Sequence, residues 1–115
     1  EVTRLGTALG GSAETFAGLA GMGDMIATCT SPQSRNRHVG LQLAQGKSVQ
    51  EITDAMNMVA EGVKSAPTVV SLANRHHIEV PICSEIQRIL EGKADATRVY
   101  RGLIRVVAGA ESEPG

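Results

Sequence analysis

Aromatic side chains are almost absent from this chain: Phe16 and Tyr100 are the only two, and there is no Trp. A core built without them must be filled by Leu, Ile, Val, Ala and Met. Such side chains suit helices that approach closely, and Gly and Ala favour that approach further. With 115 residues there is room for one compact domain and one core. Hydrophobic residues make up 42% and charged residues 20%, an ordinary globular balance in which nothing suggests disorder. The formal net charge of -1 provides no global field to recruit nucleic acid or an anionic membrane. Any affinity for a phosphate must therefore be local.

Cys29 and Cys83 form neither a CxxC pair nor a disulfide framework, which points to a reducing, cytoplasmic compartment. No run approaches the roughly 18 apolar residues of a membrane span. No basic segment followed by an apolar one marks a signal peptide. The chain opens inside a helix-like pattern, as a segment with missing upstream sequence would.

Val2, Leu5 and Leu9 share one helical face, which Gly10-Gly11 should end, and Ser12 is placed to cap a second helix carrying Phe16 and Leu19. The glycines between Gly18 and Gly23 either break that helix or permit very close packing. Thr28 to Pro32 reads as a turn. Further helices are expected over Gln33–Gln45, Ser48–Met56, Pro67–His76, Pro81–Glu91 and Asp95–Val107. Ser48-Val49-Gln50-Glu51 is a capping-box pattern. Asn57 to Glu61 reads as a link, and Pro67 fits only the first turn of the helix that follows. Ile78 to Pro81 is a short extended connection. There is no internal repeat and no convincing strand. The expected fold is an all-α, compact multi-helix domain over residues 1–108, with a fraying tail over 109–115.

Glycine-rich loops bind dinucleotide phosphates, so Gly21-Met22-Gly23 is the first candidate site. A dinucleotide fingerprint requires a third glycine and a preceding strand, and both are absent. Close helix packing is the better reading. For Asp24, two readings stay open. Its carboxylate either lies against a packed surface with donors or a cation nearby, or it caps a helix. Ser34-Arg35-Asn36-Arg37-His38 is the densest polar cluster. It opens a helix, where free N–H groups and the positive dipole end favour anions, and Arg adds a bidentate fork. These are the parts of a small phosphate site, although on the residues alone a capped helix with solvated basic residues is the better reading. His38 lacks a partner at metal-ligand spacing, so no metal site is expected. His76-His77 suit the dipole at a helix end. Arg98, Arg101 and Arg105 make a basic stripe of the kind that usually faces solvent. Cys29 has no evident His partner to activate it.

Taken together, Glu14 to Asp24, Thr28-Cys29-Thr30 and Ser34-Arg35-Asn36-Arg37 closely resemble the bacterial-type NAD(P)-dependent glycerol-3-phosphate dehydrogenases. Gln45-Gly46-Lys47-Ser48, Val59-Ala60-Glu61-Gly62-Val63, Val80-Pro81-Ile82 and Glu91-Gly92 continue the resemblance in order. The resemblance implies a helical C-terminal substrate domain, separated here from an N-terminal Rossmann domain that holds most of the NAD or NADP. It implies that Asp24, Ser34, Arg35 and Asn36 bind glycerol 3-phosphate or dihydroxyacetone phosphate. It also implies that Arg35, Val59 and Glu61 reach the cofactor. The reaction implied is reversible hydride transfer to the C2 carbonyl of dihydroxyacetone phosphate, supplying glycerol 3-phosphate for phospholipids.

The family's acid/base lysine lies upstream of the matched segment. No catalytic residue is therefore expected in this chain, and Lys47, Lys64 and Lys93 match other positions. The chain alone should be inactive, with its own Rossmann domain as the implied partner and a homodimer as a further one. A non-catalytic helical dimerisation or phosphosugar-binding module is the alternative reading.

Overall fold

The computed structural model describes residues 1–56 and 60–98, and every regular element among them is helical. In chain order they are α1 (Val2–Ala8), α2 (Ala13–Ala17), a π-helical turn (Leu19–Gly23), α3 (Asp24–Thr30), α4 (Arg35–Ala44), α5 (Val49–Ala55), α6 (Glu61–Arg75) and α7 (Pro81–Leu90). This is the all-α architecture that the periodicity predicts. Gly10, Gly46 and Gly92 stand just past helix ends at φ of +97°, +89° and +76°, in the left-handed region where helices commonly terminate. The expected capping box opens α5: the Ser48 hydroxyl accepts from the Glu51 N–H and the Glu51 carboxylate accepts from the Ser48 N–H.

Several boundaries depart from the sequence expectation. Ser12 occupies the cap position of α2, but its hydroxyl makes no capping bond. Thr28 to Thr30 complete α3 instead of turning, and the turn is confined to the residues that follow. Helix α6 starts at Glu61, so Pro67 lies inside it and not in its first turn. A proline there lies past the first four donors, which lack intrahelical acceptors, and so forfeits the bond its amide would make to the Val63 carbonyl. Asp95 begins only a turn among the described residues, its carboxylate accepting from the Thr97 N–H at 2.9 Å and hydroxyl at 2.8 Å. The rest of the helix expected over Asp95–Val107, with Tyr100, Arg101, Arg105 and the tail, lies outside the described residues.

The core is small. Val39 of α4, Ile52 of α5 and Ala60 form a buried cluster, against which Leu43, Met56 and Val63 pack in part. Ala73 of α6 is fully enclosed, and Val80 is buried in the link to α7. Helix α1 is fastened to this link by polar contacts. The Arg4 guanidinium donates to the Glu79 carbonyl at 3.1 Å. The Glu1 carboxylate accepts from the N–H groups of Ile82 and Cys83, capping α7, where Val80 offers no side-chain cap. Burial, with the hydrogen bond and negative charge of Glu1, pushes the Cys83 thiol up to about 11, so it stays protonated and unreactive at neutral pH.

Close approach governs the N-terminal half. A Cβ at Gly6 would stand 2.1 Å from the Phe16 ring, and one at Gly21 would stand 2.2 Å from the Phe16 carbonyl oxygen. The single described aromatic is therefore packed against glycine backbone, as the close-packing reading of these glycines expects. By contrast, Leu19, Met22, Met25 and Ile26 of the π-helical turn and α3 are solvent-facing, with Leu19 91% exposed.

The end of α6 generates a stability prediction. His77 sits at φ +56°, with its N–H on the Asn74 carbonyl and the Ile78 N–H on the Ala73 carbonyl. This is a Schellman closure with a non-glycine residue at its left-handed position. Strain there costs about 1–2 kcal/mol, whereas glycine adds only about 0.4–1 kcal/mol of unfolded-state entropy. His77→Gly should raise stability by about 0.5–1 kcal/mol, read as a higher urea midpoint; a lower midpoint would show that the imidazole contributes packing that outweighs the strain.

Candidate functional site: two converging helix N-termini

The turn between α3 and α4 sets up the polar cluster. Ser31 Oγ accepts from the Gln33 N–H at 3.3 Å, and Ser34 then takes an extended backbone and opens α4. Its Oγ accepts from the Arg37 N–H at 3.2 Å, a side-chain N-cap. Arg35 and Asn36 thus become the first two helical residues of α4. Their backbone N–H groups belong to the unpaired first turn, at the positive end of the helix dipole. Both side chains are exposed, as are Arg37 and His38.

A second helix terminus meets this one. Asn36 Oδ1 accepts from the N–H of Gly62 at 2.9 Å, a bond that spans 26 residues of sequence. Gly62 is the second residue of α6, whose cap position is held by Ala60, which has no capping side chain. Asn36 therefore performs from α4 the capping that α6 cannot supply for itself. Glu61, exposed at the start of α6, is drawn beside the α4 terminus by the same bond. Two positive dipole ends and a side-chain amide now meet in one exposed, polar face, with Arg35 in the first turn of α4. Such a face favours an anion with several oxygens. Glu61 offers acceptors there, which suit a hydroxyl or an amide rather than a phosphate.

Asp24 is placed differently. It is exposed and continues helically from the π-helical turn, since Gly23 and Asp24 both have ordinary right-handed helical backbone. It is neither a helix N-cap nor set against a packed surface, so both sequence readings are corrected. The π-helical turn, which makes the chain continuous here, leaves no distinct periodic mark in the sequence. About 9 Å of helix rise separates Asp24 from Thr30, at 1.5 Å per residue. No hydrogen bond among the described residues joins Asp24 to the Ser34–Asn36 cluster. Val59 lies outside the described residues.

Among the described residues, the converging termini form an open face. A groove of about 360 Å³ runs elsewhere, between Leu43, Lys47 and Val49 on one side and Ile89, Leu90 and Ala96 on the other. Another, of about 480 Å³, lies at the α6–α7 link around His77 and Val80. Neither includes a candidate residue. Small-molecule sites usually enclose most of their ligand, so this open face needs a further wall. Among the described residues, no group of three or more His, Cys, Asp or Glu is arranged to hold a metal ion, and no helix is long and apolar enough to cross a membrane.

Comparison with known proteins agrees with this architecture. The family described as the NAD-dependent glycerol-3-phosphate dehydrogenase C-terminus matches residues 1–101. The chain belongs to this family. A Sphingopyxis alaskensis protein named glycerol-3-phosphate dehydrogenase [NAD(P)+] 2 is 58% identical over 115 residues, covering 100% of this chain and 34% of the relative. A Mycobacterium avium protein named glycerol-3-phosphate dehydrogenase [NAD(P)+] is 50% identical over 111 residues, covering 96% of this chain and 33% of the relative. An Acaryochloris marina protein of the same name is 56% identical over 104 residues, covering 90% of this chain and 34% of the relative. The chain thus spans about a third of the length of these relatives. In this dehydrogenase C-terminal domain, the Ser34–Asn36 and Glu61–Gly62 segments are distant in sequence and adjacent in space.

Ser34 is the cap on which the presentation of Arg35 and Asn36 depends. Ser34→Ala should lower stability by about 0.5–2 kcal/mol, and Ser34→Asp should recover most of that loss. Paired chemical denaturation curves measure both. Equal stabilities for all three proteins would mean that the hydroxyl contributes nothing as a cap.

Proposed function

We propose that this chain is the substrate-binding part of an NAD(P)-dependent glycerol-3-phosphate dehydrogenase acting on dihydroxyacetone phosphate and glycerol 3-phosphate. The observation that carries the reading is the meeting of the α4 and α6 N-termini through Asn36 and Gly62. Arg35 presents a planar fork to phosphate oxygens, and the first-turn N–H groups of α4 add fixed donors. The amide nitrogen of Asn36 donates to a phosphate or hydroxyl oxygen. Asp24 accepts from a substrate hydroxyl and steadies a cationic proton donor brought by another part of the enzyme.

Glu61, with Arg35 and Val59, contacts the nicotinamide cofactor at the margin of the site. The fit is partial by construction: the described residues offer helix termini and polar side chains, but no strand–turn–helix to hold a dinucleotide. When bound, the cofactor supplies the hydride that reduces the C2 carbonyl, while a proton completes the alcohol oxygen. The contribution of this chain is to hold the substrate by its phosphate so that C2 is aligned for that transfer.

The further wall of the site is, in this reading, the remaining two-thirds of the polypeptide present in the relatives. The exposed Leu19, Met22, Met25 and Ile26, on the segment that also carries Asp24, suit burial against that part. A cytoplasmic location accords with two free thiols and a near-neutral charge.

Arg35 tests the reading in the full-length dehydrogenase that carries this segment. Lys cannot reproduce the planar, bidentate contact, and hydrogen bonds to charged groups contribute on the order of 1.5–3 kcal/mol each. Arg35→Lys should therefore lower kcat/KM by roughly ten- to a hundred-fold. The side chain is exposed, so the melting temperature should barely change. Unchanged kinetics, or a loss accounted for by unfolding, would remove Arg35 from the site.

A further inference from the structure

The geometry points to Gly62 as a positioning residue: the absence of its side chain lets the Asn36 amide lie flat on the start of α6 with its NH2 group turned toward substrate. This inference rests on the substrate role proposed for Asn36. Gly62 is not demanded by its backbone, since it lies within a right-handed helix and away from the positive-φ glycines. A Cβ built on it would, however, stand 2.7 Å from Asn36 Oδ1, 2.9 Å from its Cγ and 3.2 Å from its Nδ2. The amide group therefore crowds the place where any other residue would put its first side-chain carbon.

The direction of the amide follows from hydrogen bonding. Gly62 N–H is a donor, so the oxygen of Asn36 must face it, and the nitrogen with its two donors is left for another partner. No described residue accepts from that nitrogen. An exposed asparagine with no such tie would rotate freely and present oxygen and nitrogen by turns. An anionic or carbonyl-like oxygen needs a donor, so fixing the rotation fixes the polarity presented to the ligand. Because Gly62 adjoins Glu61, the same contact sets the substrate helix against the segment proposed to reach the cofactor.

The displaced atoms in a Gly62→Ala protein belong to the end of a flexible, exposed side chain. The fold can therefore accommodate the methyl group by letting the amide swing away, and alanine is the better helix former. This separates positioning from structure. The experiment compares Gly62→Ala, Asn36→Ala and the double substitution in the full-length dehydrogenase, measuring the KM for dihydroxyacetone phosphate, kcat and melting temperature. Each single substitution should lower kcat/KM by about tenfold, chiefly through KM, and the pair should lose about tenfold and not a hundred-fold. The melting temperature of Gly62→Ala should stay within about 2–4 °C of the parent.

Loss in Asn36→Ala with full activity in Gly62→Ala would overturn the positioning role and leave the substrate role of Asn36 standing. Multiplicative losses in the pair, or a larger fall in the melting temperature of Gly62→Ala, would overturn it as well. Full activity in Asn36→Ala would remove the substrate role itself, and the inference with it.

Discussion

The hydrogen bond from Gly62 N–H to Asn36 Oδ1 is the contact on which the candidate site depends. Each of the two helices has a half-solution to its own N-terminal problem. Helix α4 is capped by Ser34 and has a spare amide in its first turn, whereas α6 has no capping side chain of its own. Joining them satisfies one orphan donor of α6 and brings two positive dipole ends together. The Val39–Ile52–Ala60 cluster lies behind this junction and holds α4, α5 and the entry to α6 together. Burial fixes the helices; the polar bond fixes how their termini face each other.

Much of the chain's apolar surface is not used in this way. Among the described residues only six hydrophobic side chains are buried, and none of the larger ones is fully enclosed, so packing within the chain supplies a modest share of the burial a stable domain needs. The exposed apolar residues on the segment of Asp24 and the open face beside Arg35 have the same physical meaning. In the proposed function, both are halves of contacts. Under the proposed function, one further structure completes the two at once, enclosing the substrate and covering Leu19, Met22, Met25 and Ile26. Asp24 and Asn36, which no hydrogen bond among the described residues joins, would then be bridged by the ligand.

The helices were legible in the sequence because their signals are local. Ser48 and Glu51 stand three apart and cap α5 as the pattern predicts, and Gly46 and Gly92 end helices where they should. Failures occurred where a distant partner changes the local balance. Pro67 reads as a helix start, yet α6 begins six positions earlier, at Glu61, with one of its early donors satisfied by Asn36 across 26 residues. Asp24 reads as a cap or a packed carboxylate because the π-helical turn before it, built on close contact between Gly21 and Phe16, has no periodic signature. Ser34, Arg35 and Asn36 were identifiable as a cluster from composition and position. That Asn36 meets Gly62 was not, because neither residue carries a mark of the other.

The central claim is that the α4 terminus, aligned by α6, grips the phosphate of a three-carbon substrate. A crystal structure of the full-length dehydrogenase with bound glycerol 3-phosphate measures this directly. The account predicts phosphate or hydroxyl oxygens within hydrogen-bond distance of the Arg35 guanidinium and of Asn36 Nδ2, with Asn36 Oδ1 still on the Gly62 N–H. A phosphate held elsewhere, with Arg35 in solvent and the Asn36 amide turned away from Gly62, would contradict it.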